Sequence, residues 1–320
     1  MIKKVFNKQL VKTSIHYCGF LLAMMIGADL SAQKKETVGS INSIPGSSYV
    51  GLIPEQPSKG LIILLTGFSS AAETLQETDL PEKACKAGYT VILPSLYPAS
   101  SVDKTNIFQQ RLESLVPELI KKYKIPEHKF IIGGASWAGH QAMIYTEKAN
   151  DPSYHVIIKP DLVFGVDPPL DLKRLYNEYA KAADPAKREG SEANMITGLL
   201  RKQFNGTPEE KSAAYESASS FSRDAGKGGN LQWLVSVPIR LYADPDVSWW
   251  LNERNTPIEQ TNLTDITAAI LQLKLLGNKN AEFVNCLGKG FHEGKRHPHS
   301  FSMLDANEFI HWADRILGYK

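Results

Sequence analysis

One short run of this chain combines a reactive side chain with the backbone economy that chemistry demands. Phe130-Ile131-Ile132 is apolar and extended in character, Gly133-Gly134 ends it, and Ala135-Ser136-Trp137-Ala138-Gly139-His140 follows. Beyond it, Gln141 to Glu147 reads as a helix. A strand that turns straight into a helix holds the turning residue at strained angles. It also needs small residues on either side, because strand end and helix start nearly touch. A serine at that apex projects its hydroxyl out of the sheet at the positive end of the helix.

A serine hydroxyl attacks poorly unless a base takes its proton and a third group orients that base. In an open parallel sheet such groups converge from loops at the carboxyl ends of neighbouring strands. Two later loops carry them. After the strand-like Pro238 to Tyr242 comes Ala243-Asp244-Pro245-Asp246-Val247-Ser248-Trp249-Trp250. Asp246 is the expected acid, since it lies far enough along the loop to turn back towards a histidine. Asp244 is the alternative, and one of the two serves as an ordinary turn or helix cap. After Ala281 to Cys286 comes a glycine-rich loop with His292, His297 and His299. His299, nearest the last helix, is the expected base and His297 the alternative. The same three histidines form the rival pattern of a zinc site. Pro298 and the lack of a His-Glu-x-x-His helix or cysteine cluster count against it, so no metal and no cofactor are expected. Two backbone donors are needed for a developing oxyanion. The N–H of Trp137 is one, and that of Phe68, after Thr66-Gly67, is the other.

The elements that must hold these groups follow from pattern. Gly60 to Thr66 is a continuous apolar run, as are Tyr89 to Pro94 and Asp161 to Val166, so each reads as a strand buried on both faces. Ser47 to Ile53 reads as an edge strand after an extended lead-in. Pro81 to Ala87, Asn106 to Tyr123 and Leu304 to Leu317 have helical character. Strands alternating with helices predict a mainly parallel sheet with helices on both faces. About seventy residues separate Val166 from Val237, where a helical crossover needs about thirty. Leu170 to Ala183, Glu192 to Phe204 and a helix opening at Thr207-Pro208-Glu209-Glu210 fill the interval. Gly226-Lys227-Gly228-Gly229 is expected as a flexible return. The interval reads as a helical cap insertion, about 168–232, over the strand ends; helices packed on a sheet face are the alternative.

With the serine turn, the Asp244/Asp246 loop and His299 in that order, the chain resembles the α/β-hydrolase superfamily, from roughly residue 50 to the end. Gly134-Ala135-Ser136-Trp137-Ala138 stands where that superfamily has its nucleophile elbow, with alanine replacing the usual second glycine. Thr66-Gly67 stands where a His-Gly is usual. The resemblance implies an eight-stranded α/β fold with the helical cap inserted between strands 6 and 7 as a lid. It also implies acyl transfer through Ser136, His299 and Asp246. The expected activity is hydrolysis of carboxylic esters of small molecules or oligosaccharides, with Trp137, Phe68, Trp249 and Trp250 at the mouth of the site. A peptidase of the same fold and a binding protein on a hydrolase scaffold are the alternatives.

The 320 residues carry a net charge of +2 and are 42% hydrophobic, as in an ordinary globular protein. Lys3, Lys4, Lys8 and Lys12 precede an apolar core from Tyr17 to Ala28, and Leu30-Ser31-Ala32 offers a cleavage site before Gln33. Residues 1–32 therefore read as a secretory signal, too short in its apolar run to anchor in a membrane. Residues 33–320 read as a single domain, exported to the periplasm or the medium. Removing the leader leaves a net charge of −1, which points to neither nucleic acid nor an anionic membrane surface. Cys85 and Cys286 remain and are expected as buried free thiols.

Overall fold

Strands that are apolar at every position must be covered on both faces, and the computed structural model pairs them side by side in one sheet. It describes residues 34–38, 41, 43–96, 105–126, 128–154, 158–182 and 192–319; the expected export signal, 1–32, lies outside them. The strands are β1 (Lys34–Val38), β2 (Ser48–Ile53), β3 (Gly60–Leu65), β4 (Tyr89–Ser95), β5 (Phe130–Ala135), β6 (Leu162–Val166), β7 (Ile239–Ala243) and β8 (Ala281–Asn285). Their order is β1-β2-β4-β3-β5-β6-β7-β8. From β4 onwards every pair is parallel, while β1 and β2 add antiparallel ladders. β2 was expected at the edge, but it lies inside β1, whose polar Lys-Lys-Glu-Thr-Val gives no strand pattern to read.

The helices are α1 (Ala71–Glu77), α2 (Leu80–Lys86), α3 (Thr105–Tyr123), α4 (Trp137–Asn150), α5 (Leu172–Ala182), α6 (Glu192–Phe204), α7 (Ser212–Ala218), α8 (Val247–Arg254), α9 (Leu263–Leu275) and α10 (Ala306–Leu317). They divide between the faces as strand alternation dictates. Leu112 and Val116 of α3, Met143 of α4 and Leu273 of α9 pack on the Leu61, Ile63 and Ile132 side. Ala84 of α2 with Phe309 and Trp312 of α10 pack on the Ile62, Leu64 and Ile131 side. Cys85 and Cys286 are free and buried, and burial pushes both thiols up to about 11, so neither is a ready nucleophile. Among the described residues no helix is long and apolar enough to cross a membrane.

The interval between β6 and β7 is helical, as expected, and forms a cap. α5, α6 and α7 build a separate apolar cluster from Leu175, Tyr176, Ile196, Leu200 and Tyr215, and Trp137, the residue after Ser136, completes it. Two details differ from expectation. Thr207-Pro208-Glu209-Glu210 makes a single turn, with the Thr207 N–H donated to the Glu210 carboxylate at 2.9 Å, and α7 starts only at Ser212. The glycine-rich return is a defined turn: Lys227, Gly228 and Gly229 all have positive φ, and a side chain at Gly228 would press on Phe221 and Gln272.

The cap is also stapled to the body electrostatically. Asp265 of α9 is completely buried, and its carboxylate is held by Arg174 of α5 and by Nε of Arg223 at 2.8 Å. A second carboxylate, Asp171, holds the N–H groups of Arg174 and Arg223 at 3.0 Å each, so backbone and side chains share one polar seam. Removing one partner of a buried ion pair is far costlier than the pair is worth, because the other charge stays behind. Asp265→Ala should therefore lower unfolding stability by about 3 kcal/mol. The check is a urea titration read at the midpoint, and an unchanged midpoint would contradict the seam.

Candidate active site

β5 delivers Ser136 into a turn that only this local sequence tolerates. Ser136 has φ 52° and ψ −127°, and α4 begins at the next residue. A side chain at Gly134 would stand 2.5 Å from the Ala138 Cβ and 2.8 Å from the Leu65 carbonyl oxygen. Ala138 in turn lies against Gly67, whose φ is +63°, so the small residue two places after the serine meets the oxyanion-side loop. The Ser136 N–H is donated to the Val166 carbonyl of the neighbouring strand at 2.8 Å, which holds the strained residue in place.

Ser136 and His299 line one cavity of about 320 Å³, together with Phe68, Trp137, Glu192 and His297. Phe68 sits in a tight turn closed by the Ser69 N–H donated to Thr66, and its ring is exposed. Trp137 is the first residue of α4, where an N–H has no carbonyl one turn back to receive it. The two expected oxyanion donors thus flank the same space.

The acid is where sequence reasoning and structure part. Asp246 does not reach His299. The chain enters α8 directly after it, so Asp246 becomes the helix cap: Oδ1 accepts the Trp249 N–H at 3.0 Å and Oδ2 accepts Arg296 at 3.1 Å. Asp244, the alternative, is buried and equally committed. It pairs with Arg296 at 2.5 Å and accepts the N–H groups of Gly288 at 3.3 Å and Gly290 at 3.1 Å. The carboxylate at His299 belongs to Asp167, at the end of β6, with Nδ1 donated to Oδ2 at 2.5 Å. Asp167 is buried, has a positive φ of 48°, and is fixed by its N–H to Tyr242 at 2.8 Å and by Asn262 on its carbonyl at 2.9 Å. Its signal was an aspartate at the end of a buried strand followed by Pro168-Pro169, which was read as the start of the insertion.

The histidine loop carries its own hydrogen-bonded structure. Phe291–His292 (β9) and Lys295–Arg296 (β10) pair as a small hairpin, and Arg296 closes its base on the Gly290 carbonyl at 2.7 Å. His297 cannot act as the base, because both its nitrogens are engaged. Arg254 can only donate, so Nε2 accepts from it at 3.1 Å and Nδ1 donates to the His299 carbonyl at 2.9 Å. Burial first, and the neighbouring cationic groups next, hold its pKa below the ordinary imidazole range. His292 is paired with Glu77 at 3.0 Å, so the three histidines of the rival zinc pattern go to three different partners. Trp249 stacks edge-on against His297, and Trp250 lines an adjoining cavity of about 440 Å³ that also borders Asp167, Glu192 and His299.

Burial alone would lower the pKa of His299, and it is the largest single influence. The hydrogen bond and charge of Asp167, with Glu192 and Glu77 behind them, together outweigh it, and the net shift is upward.

The strand order, the serine turn and the cap define the α/β-hydrolase fold. No family model and no curated protein sequence matches the chain. Solved structures do. An inhibited esterase B from Lactobacillus rhamnosis superposes with a TM-score of 0.56 at 13% identity, over 89% of this chain and 87% of that one. Carboxyl esterase 2 from Tuber melanosporum gives 0.53 at 15% identity, over 90% and 85%. A Rhizomucor miehei esterase gives 0.54 at 14%, over 89% and 84%. Identities this low establish a shared fold.

Asp167→Asn presents an amide N–H to Nδ1 and so favours the wrong imidazole tautomer. It should lower kcat by roughly 10⁴-fold, while Asp246→Asn stays within about tenfold of wild type. A base with a raised pKa stays cationic to higher pH, so kcat/KM should climb through an apparent pKa above the ordinary 6.5 of the imidazole. Any residual activity of Asp167→Asn should climb at lower pH. Steady-state pH profiles of the three proteins check this, and a large loss in Asp246→Asn with little in Asp167→Asn would return the acid to the β7 loop.

Proposed function

We propose that the chain is a serine hydrolase of carboxylic esters, with Ser136 as nucleophile, His299 as base and Asp167 as the acid. The observation that carries this reading is a serine at a strained strand-to-helix apex sharing one cavity with a histidine whose other nitrogen is bound to a buried carboxylate. In this reading His299 takes the Ser136 proton as the hydroxyl attacks the ester carbonyl. The Trp137 and Phe68 N–H groups receive the oxyanion, and His299 then protonates the departing alcohol. Water, deprotonated by the same histidine, releases the acid from Ser136. Asp167 keeps the proton on Nδ1 and stabilises the imidazolium while it lasts. The esterases that share the fold support the choice of ester over amide.

The size of the space favours small substrates. Glu77, Glu192, His292 and His297 border the serine cavity beside the apolar Leu65, Phe68, Val166 and Phe301, and among the described residues it encloses about 320 Å³. Small-molecule esters, acetylated sugars among them, fit that lining. We also read residues 1–32 as an export signal, so the mature enzyme would begin at Gln33; N-terminal sequencing of the exported protein tests this, and an intact Met1 would refute it.

A fluorophosphonate probe should label the wild type and fail on Ser136→Ala. Among p-nitrophenyl esters, kcat/KM should be highest for acetate to butyrate and fall at least about tenfold by the decanoate. Labelling that survives Ser136→Ala would refute the nucleophile. A maximum at long chains would refute the substrate class while leaving the mechanism standing.

A further inference from the structure

α4 carries a second polar feature that the ester chemistry does not use. Glu147, near the end of the helix opposite Ser136, is only 3% exposed, and its Oε1 has no hydrogen-bond partner among the described residues. Burial holds its carboxyl well above the usual carboxylate range. A buried polar atom left unpaired is costly, and an apolar side chain at this position would avoid that cost. The carboxyl therefore asks for a donor.

Glu147 is not alone. It lines a cavity of about 360 Å³ between α4 and the cap, and Gln203 of α6, whose Oε1 is likewise buried and unpaired, lines it too. Phe204 and Trp233 supply aromatic walls. The one lysine in the lining, Lys148, directs its ammonium over the Tyr154 ring, 5.4 Å from the centroid, and forms no ion pair with Glu147 among the described residues. Asp151 adds a second carboxyl group, so the lining has two carboxyl groups to its single lysine. Two unpaired acceptors, a carboxyl group ready to give up its proton to a bound amine, and aromatic walls make the surroundings that recognise an organic cation.

We propose that this cavity binds a small organic ammonium ion, which donates to Glu147 Oε1 and Gln203 Oε1 and lays its apolar body against Phe204 and Trp233. The site is separate from the ester site: Glu147 is eleven residues along α4 from Ser136, about 16 Å at the helical rise. Its occupant would touch both the nucleophile's helix and two cap helices, since Ala214 and Ser217 of α7 also line the space.

Isothermal titration of the wild-type protein with benzylammonium, benzyl alcohol and benzoate tests the proposal, since the three share one ring and differ in charge. The expected result is saturable one-to-one binding of benzylammonium, about tenfold or more tighter than the alcohol, as a charge-assisted hydrogen bond gives, with benzoate weakest. Glu147→Gln keeps the shape and removes the group that can ionise against the ammonium, and should bring benzylammonium down to the alcohol's level. Gln203→Leu should weaken it several-fold, and this variant decides the matter if circular dichroism shows Glu147→Gln unfolded. No saturable binding, equal binding of ammonium and alcohol, or an affinity unchanged by the folded variants would overturn the proposal.

Discussion

The rest of the structure depends on the close crossing of β5 and α4 at Ser136. A non-glycine residue at φ 52° and ψ −127° costs on the order of 1–3 kcal/mol and persists only where its surroundings leave no alternative. Here the surroundings are specific. Gly134 has no room for a methyl group, Gly139 would press on the Gly134 carbonyl, and Gly133 would overlap the Phe164 ring. Hydrogen bonds then hold the serine from both sides, from its N–H to Val166 and from His140 to its carbonyl. His140, one turn along α4, is itself buried. Burial pushes its pKa down to about 3, so it stays neutral, packed on Trp137 and next to Ser220 of the cap connection.

The sheet register explains why Asp167 reaches the histidine. Ala135 and Val166 are paired partners, so Ser136 and Asp167 leave adjacent parallel strands at the same height. Neighbouring strands are about 4.8 Å apart, whereas the β7 loop starts one strand further out. The carboxylate that does stand there, Asp244, acts on the backbone instead. Through Arg296 and the Gly288 and Gly290 N–H groups it fixes the path of the loop that carries His299. Two carboxylates thus divide the work of orienting one imidazole: Asp167 sets the ring, and Asp244 sets the chain that delivers it.

The parts of this arrangement that were legible in the sequence are those written in local pattern. Buried strands announce themselves as unbroken apolar runs, and the serine turn as small residues around one hydroxyl, so Ser136, the strand succession and the helical cap could be read directly. His299 lines the cavity of Ser136 from the loop where a histidine was expected. Its carboxylate partner was not legible, because choosing among aspartates depends on which loop end faces the histidine, a non-local distance. The Asp-Pro-Asp loop offered two carboxylates with room to turn. What closed it was the helix start at Val247 and the arginine at 296, neither of which the loop's own residues reveal. β1 was illegible for a different reason: it pairs through backbone at a sheet edge, where side-chain polarity carries no periodic signal.

The position of Asp167 also ties the cap to the His299 side of the cavity. Asp167 is the last residue before the insertion, and Pro168 follows it directly. Pro168 packs into the space left by Gly139 of α4 and Gly165 of β6, so the root of the cap is wedged between the helix that follows Ser136 and the strand that ends at Asp167. At the far side, Arg174 and Arg223 anchor the cap on Asp265, while Asn262, one turn before Asp265, holds the Asp167 carbonyl. A displacement of α5 would therefore strain both the buried ion pair and the backbone that presents Asp167 to His299. The root of the cap is thus built into the support of Asp167.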